Sequence, residues 1–163
     1  MKFFMLILLC ISLCTALWAQ GDAPDCKQCW SVTDVNCDDH TDCTDWSQAV
    51  SQRFTPPCDG DYTFKCKTVC DEPGECHNCI TCSRIVDAAT GQVLYQCYTV
   101  IDVAGGCENP CENSVYPTVS LTANHDYRLE VSLQRCRDIL YCGSCTCYAE
   151  AHVYYPGAAC PDW

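Results

Sequence analysis

The chain has 163 residues, 20 of them cysteine, and a formal charge of −12 from 9 basic and 21 acidic side chains. Cysteine at that density marks a disulfide scaffold. So acidic a chain excludes nucleic acid as a partner, because phosphates are held by Lys and Arg, and it disfavours anionic membrane surfaces on the same ground.

Met1-Lys2 precedes an apolar run that continues to about Trp18. A positive start, an apolar stretch and small residues beyond it describe a secretory signal peptide over residues 1–19, cut after Ala19 or Gly21. The run is too short for a spanning helix, and no later segment approaches that length. The expectation is one secreted, extracellular domain over residues 20–163. Removing the signal takes away Cys10 and Cys14, leaving 18 cysteines, and Lys2, moving the charge from −12 to −13. Leu, Ile, Val and Phe then supply about 16% of the residues, fewer than an acidic chain needs for an ordinary core. Disulfides are the remedy small secreted domains use. The 18 candidates are Cys26, Cys29, Cys37, Cys43, Cys58, Cys66, Cys70, Cys76, Cys79, Cys82, Cys97, Cys107, Cys111, Cys136, Cys142, Cys145, Cys147 and Cys160. An even count lets all of them pair, which argues against a free nucleophilic thiol. Spacing does not give the pairing.

The first distinctive segment of the mature chain is an acidic loop. Asp34, Asn36, Asp38, Asp42 and Asp45 stand at positions 1, 3, 5, 9 and 12 of an EF-hand-like loop, and Ca²⁺ wants six to eight such oxygens. Asp39 replaces the required glycine, and Asp45 replaces the bidentate Glu. A solvated acidic loop is therefore the favoured reading, with weak calcium binding as the alternative. No other cofactor is expected.

Ser83–Cys97 reads as two strands around a turn at Thr90-Gly91. Val119–Leu133 reads as a hairpin whose second arm places Tyr127, Leu129, Val131 and Leu133 on one face. Tyr148–Tyr155 alternates again, with Ala149, Ala151, Val153 and Tyr155 together. No window has a helical period. The fold class is all-β, of the small-protein kind: disulfide-stapled β-hairpins joined by irregular cysteine-rich loops.

A repeat underlies the cysteines. Residues 66–78 match residues 97–109 at seven of thirteen positions with an offset of 31, and Phe64 and Tyr95 match in kind. Weaker copies around Cys37 and Cys136 would make two to four short tandem units, each a strand or hairpin ending in a cysteine-bearing loop and bridged to its neighbours.

The Cys-x-x-Cys pairs at Cys26, Cys76 and Cys142 have zinc-like spacing, but an oxidising compartment favours disulfides. His125-Asp126 resembles the His-Asp pair of secreted phospholipases, without that family's flanking cysteines or Gly-rich calcium loop, and reads as a turn. There is no Gly-x-Ser-x-Gly and no His-Glu-x-x-His. Abundant Tyr, with Trp30 and Trp46, is expected to fill a thin core; an exposed patch at Tyr154, Tyr155 and Trp163 is the alternative. The function expected is non-enzymatic: a structural or interaction component of an extracellular matrix, secretion or fibre. Its partner would be an extracellular protein or a second copy. The alternative is a toxin, salivary or defence-type protein that blocks a receptor, channel or protease.

Overall fold

The computed structural model describes residues 25–38, 43–70, 79–101, 111–134 and 147–160. All regular structure among them is strand: β1 (Cys29–Asp34), β2 (Cys37–Asp38), β3 (Val50–Phe54), β4 (Gly60–Cys70), β5 (Cys79–Asp87), β6 (Val93–Ile101), β7 (Cys111–Val115), β8 (Thr118–Leu121), β9 (Tyr127–Gln134) and β10 (Cys147–Tyr154). The all-β reading therefore holds. Val, Thr, Tyr and Cys dominate these segments, and such side chains suit a pleated surface.

The strands form two five-stranded sheets. The first runs β1-β10-β4-β7, with β8 also on β4; the second runs β2-β9-β5-β6, with β3 also on β9. Pairing is antiparallel except between β2 and β9. The inner faces bury Phe64, Ala149, Ala151 and Val153 from the first sheet against Ile85, Leu129, Val131 and Leu133 from the second. The alternation read in the sequence of β9 and β10 is the alternation that builds this core.

β5 and β6 form the hairpin expected around Thr90-Gly91, and Gly91 takes φ 75° at the turn. The second expected hairpin is corrected. β8 pairs with β4 in the first sheet and β9 with β5 in the second, so Val119–Leu133 is an arch between sheets. Asn124 turns the arch with φ 56°, and its N–H donates to the Pro56 carbonyl at 2.8 Å. That turn is tied to a neighbouring segment, and the two arms separate instead of pairing.

Residues 31 apart meet across the sandwich. Phe64 and Tyr95 pack edge to face at 5.8 Å, and Thr68 Oγ1 lies 2.6 Å from Thr99 Oγ1. The Cys66 and Cys97 thiols between them are hydrogen-bonded. The matched stretches are thus facing strands of one sandwich, β4 in one sheet and β6 in the other. The loops that end each matched stretch lie outside the described residues, as do residues 1–24.

Along one side the sheets are closed by aromatic rings. Trp30 of β1 packs on Phe54 of β3 at 5.0 Å and on Tyr62 at 6.2 Å, and Phe54 packs on Tyr127 at 5.6 Å. Tyr155 meets Tyr62 edge-on at 5.2 Å. Gly60, with φ 151°, lets the chain pass beneath that ring, since a Cβ there would sit 3.3 Å from Tyr155. Tyr62 and Tyr127 therefore fill the core, and Tyr155 packs half-buried against it. Trp163 lies outside the described residues.

Over β9 the second sheet is covered on both faces. Glu130, Ser132 and Gln134 point away from the core yet are buried. The segment around Trp46 lies over them: Cys43 is bridged to Cys82, the Arg84 guanidinium stacks 4.0 Å from the Trp46 ring, and Gln134 Nε2 donates to the Asp45 carbonyl at 2.9 Å. Arg84 Nε also donates to Glu130 Oε2 at 2.6 Å, giving the buried carboxylate a charged partner.

Candidate functional site

The chemistry of the chain lies in its cysteines, its few ionisable clusters and one open edge. Four bridges are described: Cys26–Cys58, Cys29–Cys160, Cys43–Cys82 and Cys70–Cys147. Cys29–Cys160 joins β1 to the segment after β10, and Cys70–Cys147 joins register partners on β4 and β10. Cys76, Cys107, Cys136, Cys142 and Cys145 lie outside the described residues. Cys37 and Cys111 lie in β2 and β7.

The expectation that every cysteine is bridged meets a difference: Cys66, Cys79 and Cys97 are buried thiols. Cys79 Sγ lies 2.7 Å from Cys147 Sγ, so three sulfurs crowd where one bond joins two. Burial pushes the Cys79 thiol up to about 11. The sulfurs of Cys70, Cys79 and Cys147 all lie within 4.8 Å of one another, a spacing that suits a soft metal ion. The Cys70–Cys147 bond removes two of the three thiolates such an ion needs. Cys66 sits among hydroxyls, 3.3 Å from Ser83 Oγ and 4.0 Å from Thr99 Oγ1. The Cys97 S–H donates to it, which holds Cys66 below the usual thiol range and, with burial, Cys97 above it. All three thiols are buried, Cys66 and Cys79 within the core and Cys97 at the floor of a groove beside β6.

The acidic loop is spent on the fold where it is described. Asp34 is 1% exposed; its Oδ2 accepts the Leu133 N–H at 2.9 Å and its Oδ1 the Asn36 N–H at 3.0 Å. It thereby links the end of β1 to β9 of the other sheet. Asp45 Oδ1 accepts the Ser47 N–H at 2.8 Å. Asp38 lies in β2 beside Gln134, and Asp42 lies outside the described residues.

His125 and Asp126 do not act as a pair. His125 Nε2 lies 2.7 Å from Asp87 Oδ2, while Asp126 Oδ1 accepts from Thr55 Oγ1 at 2.6 Å. Asp87 is held down at about 2 by the Thr90 N–H, by His125 and by the Ala89 N–H. A second cluster, not foreseen from the sequence, lies on the outer face of the first sheet. Glu150 Oε2 is 3.3 Å from His152 Nε2 and 4.0 Å from Lys67 Nζ, and all three side chains are largely buried. Burial alone would raise the Glu150 carboxyl, but His152 and the charges of Lys67 and Lys65 hold it down. The period-two placement of Lys65, Lys67, Glu150 and His152 on neighbouring strands was the available signal; β-register across distant segments was needed to use it.

The remaining feature is β6. Val93, Leu94 and Tyr98 are among the large apolar side chains left exposed, and Tyr116 stands beside them. A groove of about 410 Å³ runs between the two sheets here, lined by Tyr95, Cys97, Tyr98, Val115, Tyr116 and Pro117. It is the side opposite the aromatic closure.

No family model matches the chain, and comparison with curated proteins returns no similar sequence. The fold and the bridges define a disulfide-rich β-sandwich. Among the described residues no helix is long and apolar enough to cross a membrane.

Proposed function

We propose that this is a secreted, non-enzymatic protein that acts as a structural and interaction component of extracellular material, joining copies of itself through its surface. One observation carries the reading. The described bridges tie the segments before β1 and after β10 onto one sandwich, while exposed apolar side chains gather on one edge. A thin core made durable by covalent links, with a sticky edge, suits a load-bearing or matrix role. The engaged state of the acid and base groups supports the non-enzymatic part: Asp87 is tied to His125, Glu150 to His152 and Lys67, and the thiols face inward.

Sedimentation and non-reducing gels on the oxidised protein test this. Assemblies of two or more copies are expected, and a strict monomer at all concentrations would overturn the reading. The aromatic groove between Tyr98 and Tyr116 favours a second reading, a monomeric binder of an extracellular protein. Nanomolar binding of one target by a monomer would establish that instead.

A further inference from the structure

We infer that the outer edge of β6, from Val93 to Thr99, is the surface through which two copies of this chain join, β6 beside β6 and antiparallel. This rests on the self-associating reading above and names its contact.

An edge strand presents a row of backbone N–H and C=O groups that another strand can pair with. Among the described residues β6 pairs only with β5. The other edges carry protection. β1 has six residues, it ends in Asp34, folded onto the Leu133 N–H, and Cys29 at its start is bridged to Cys160. β2 has two residues, and β3 has five with Arg53 among them. On the first sheet the edge is broken between β7 and β8 at Tyr116-Pro117, where the Pro117 carbonyl accepts the Phe64 N–H. Short strands, charges and proline are the devices that keep edges apart. β6 has none of them. It is nine residues long, Val-Leu-Tyr-Gln-Cys-Tyr-Thr-Val-Ile, with no Pro, no Gly and no charge.

Charge and pattern select a second copy as the occupant. Two chains of net charge −12 repel, and they do so least where no carboxylate lies. No charged residue stands between Asp87 and Asp102, so β6 is the centre of such a stretch. The segment is also complementary to itself. Antiparallel pairing centred on Gln96 sets Gln96 opposite Gln96, Leu94 opposite Tyr98 and Tyr95 opposite Cys97. Outward residues then meet outward residues and inward meet inward, as the burial pattern requires. Two Leu94–Tyr98 pairs flank the dyad; aromatic–aliphatic cross-strand pairs of this kind stabilise sheets. Tyr98 is 66% exposed and Tyr116 55%, and both become covered as the second sheets of the two copies merge into one. The contact is isologous, so it closes at two copies, and larger assemblies need a different surface.

The test is sedimentation of the oxidised protein over a concentration series, with hydrogen exchange of the β6 amides. The wild type should dimerise, and Val93–Thr99 should gain protection as it does. In Leu94→Lys/Tyr98→Lys the same register sets like charges opposite one another twice. The dimer should weaken at least 100-fold while thermal unfolding of the monomer is unchanged. Ser51→Lys, on the β3 edge, should leave association as it was. Assemblies that persist in the double variant, or that form without added protection at β6, overturn this contact and leave the self-associating function standing. A wild type that stays monomeric overturns both. If the double variant fails to fold, exchange in the wild type still decides the matter.

Discussion

Removing the Cys29–Cys160 bridge isolates what the covalent framework contributes. Taken alone, a bridge across 131 residues restricts the unfolded chain by about 5 kcal/mol in the chain-entropy relation. The other bridges reduce that figure. With Cys26–Cys58 and Cys70–Cys147 intact, Cys29 and Cys160 stay linked in the unfolded chain through a path of at most about 28 residues. Closing a loop of that length contributes about 3.6 kcal/mol. The double variant Cys29→Ser/Cys160→Ser should therefore lose up to about 3.6 kcal/mol and keep its fold, because Tyr155 still packs on Tyr62 and the Tyr155 N–H still meets the Gln28 carbonyl.

Guanidinium unfolding under non-reducing conditions measures the loss, with near-ultraviolet circular dichroism confirming the fold. The bridges should also be coupled. In a background already lacking Cys70 and Cys147 the path from Cys29 to Cys160 lengthens, and the same removal should cost up to about 1 kcal/mol more. A loss of about 5 kcal/mol in the wild-type background would refute the shortened path, and a loss near zero would refute the pairing itself.

Four further outcomes follow from the side-chain geometry. Arg84→Ala should destabilise by about 2–3 kcal/mol in denaturant unfolding, because buried Glu130 keeps only Arg128 and Trp46 loses its stacked cation; an effect below about 0.5 kcal/mol would show that the cluster is not coupled to folding. Asp87 titrates lower folded than unfolded, so its contribution is present above about pH 4 and is lost as pH falls through about 2. The stability gap between wild type and Asp87→Asn should shrink over that window, and a gap constant from pH 5 to 2 would exclude the carboxylate as its source. Iodoacetamide at pH 8 should leave Cys66 and Cys79 unlabelled in the native protein, since both are fully buried and Cys79 is only about one part in a thousand ionised; labelling before unfolding, read by peptide mass, would contradict this. Calorimetric titration with millimolar calcium should be flat, because both oxygens of Asp34 already accept backbone N–H groups; measurable heat would show that the loop rearranges to bind the ion.

Local pattern was legible and partnership was not. Period two over Tyr127–Leu133 and over Ala149–Val153 identified both strands and their inward faces, because the core sorts side chains by polarity within one strand. The same residues carry no mark of which sheet they join. β8 and β9 read as a hairpin since a short turn lies between them, but the Asn124 N–H bonds Pro56, far back in the chain, and the arms part. The Glu150–His152–Lys67 cluster was hidden for the same reason: β10 and β4 are about eighty residues apart and meet only through register. Asp34 misled differently. Its spacing to Asn36 and Asp38 is that of a cation loop, yet buried backbone N–H groups need acceptors as much as a cation does, and at the end of β1 the nearer demand was Leu133.

The matched stretches bear on the open edge as well. Phe64 meets Tyr95, Cys66 meets Cys97 and Thr68 meets Thr99, so like residues pack on like across the sandwich. β4 and β6 are alike on the side facing the core and differ in their surroundings. β4 is flanked by β10 on one side and by β7 and β8 on the other, whereas among the described residues β6 pairs with β5 alone. A strand as apolar and uncharged as β6 is built for two neighbours. Its exposed Leu94 and Tyr98 stand where a second neighbour would cover them, and an antiparallel β6 from another copy supplies that neighbour with the same side chains in reverse order.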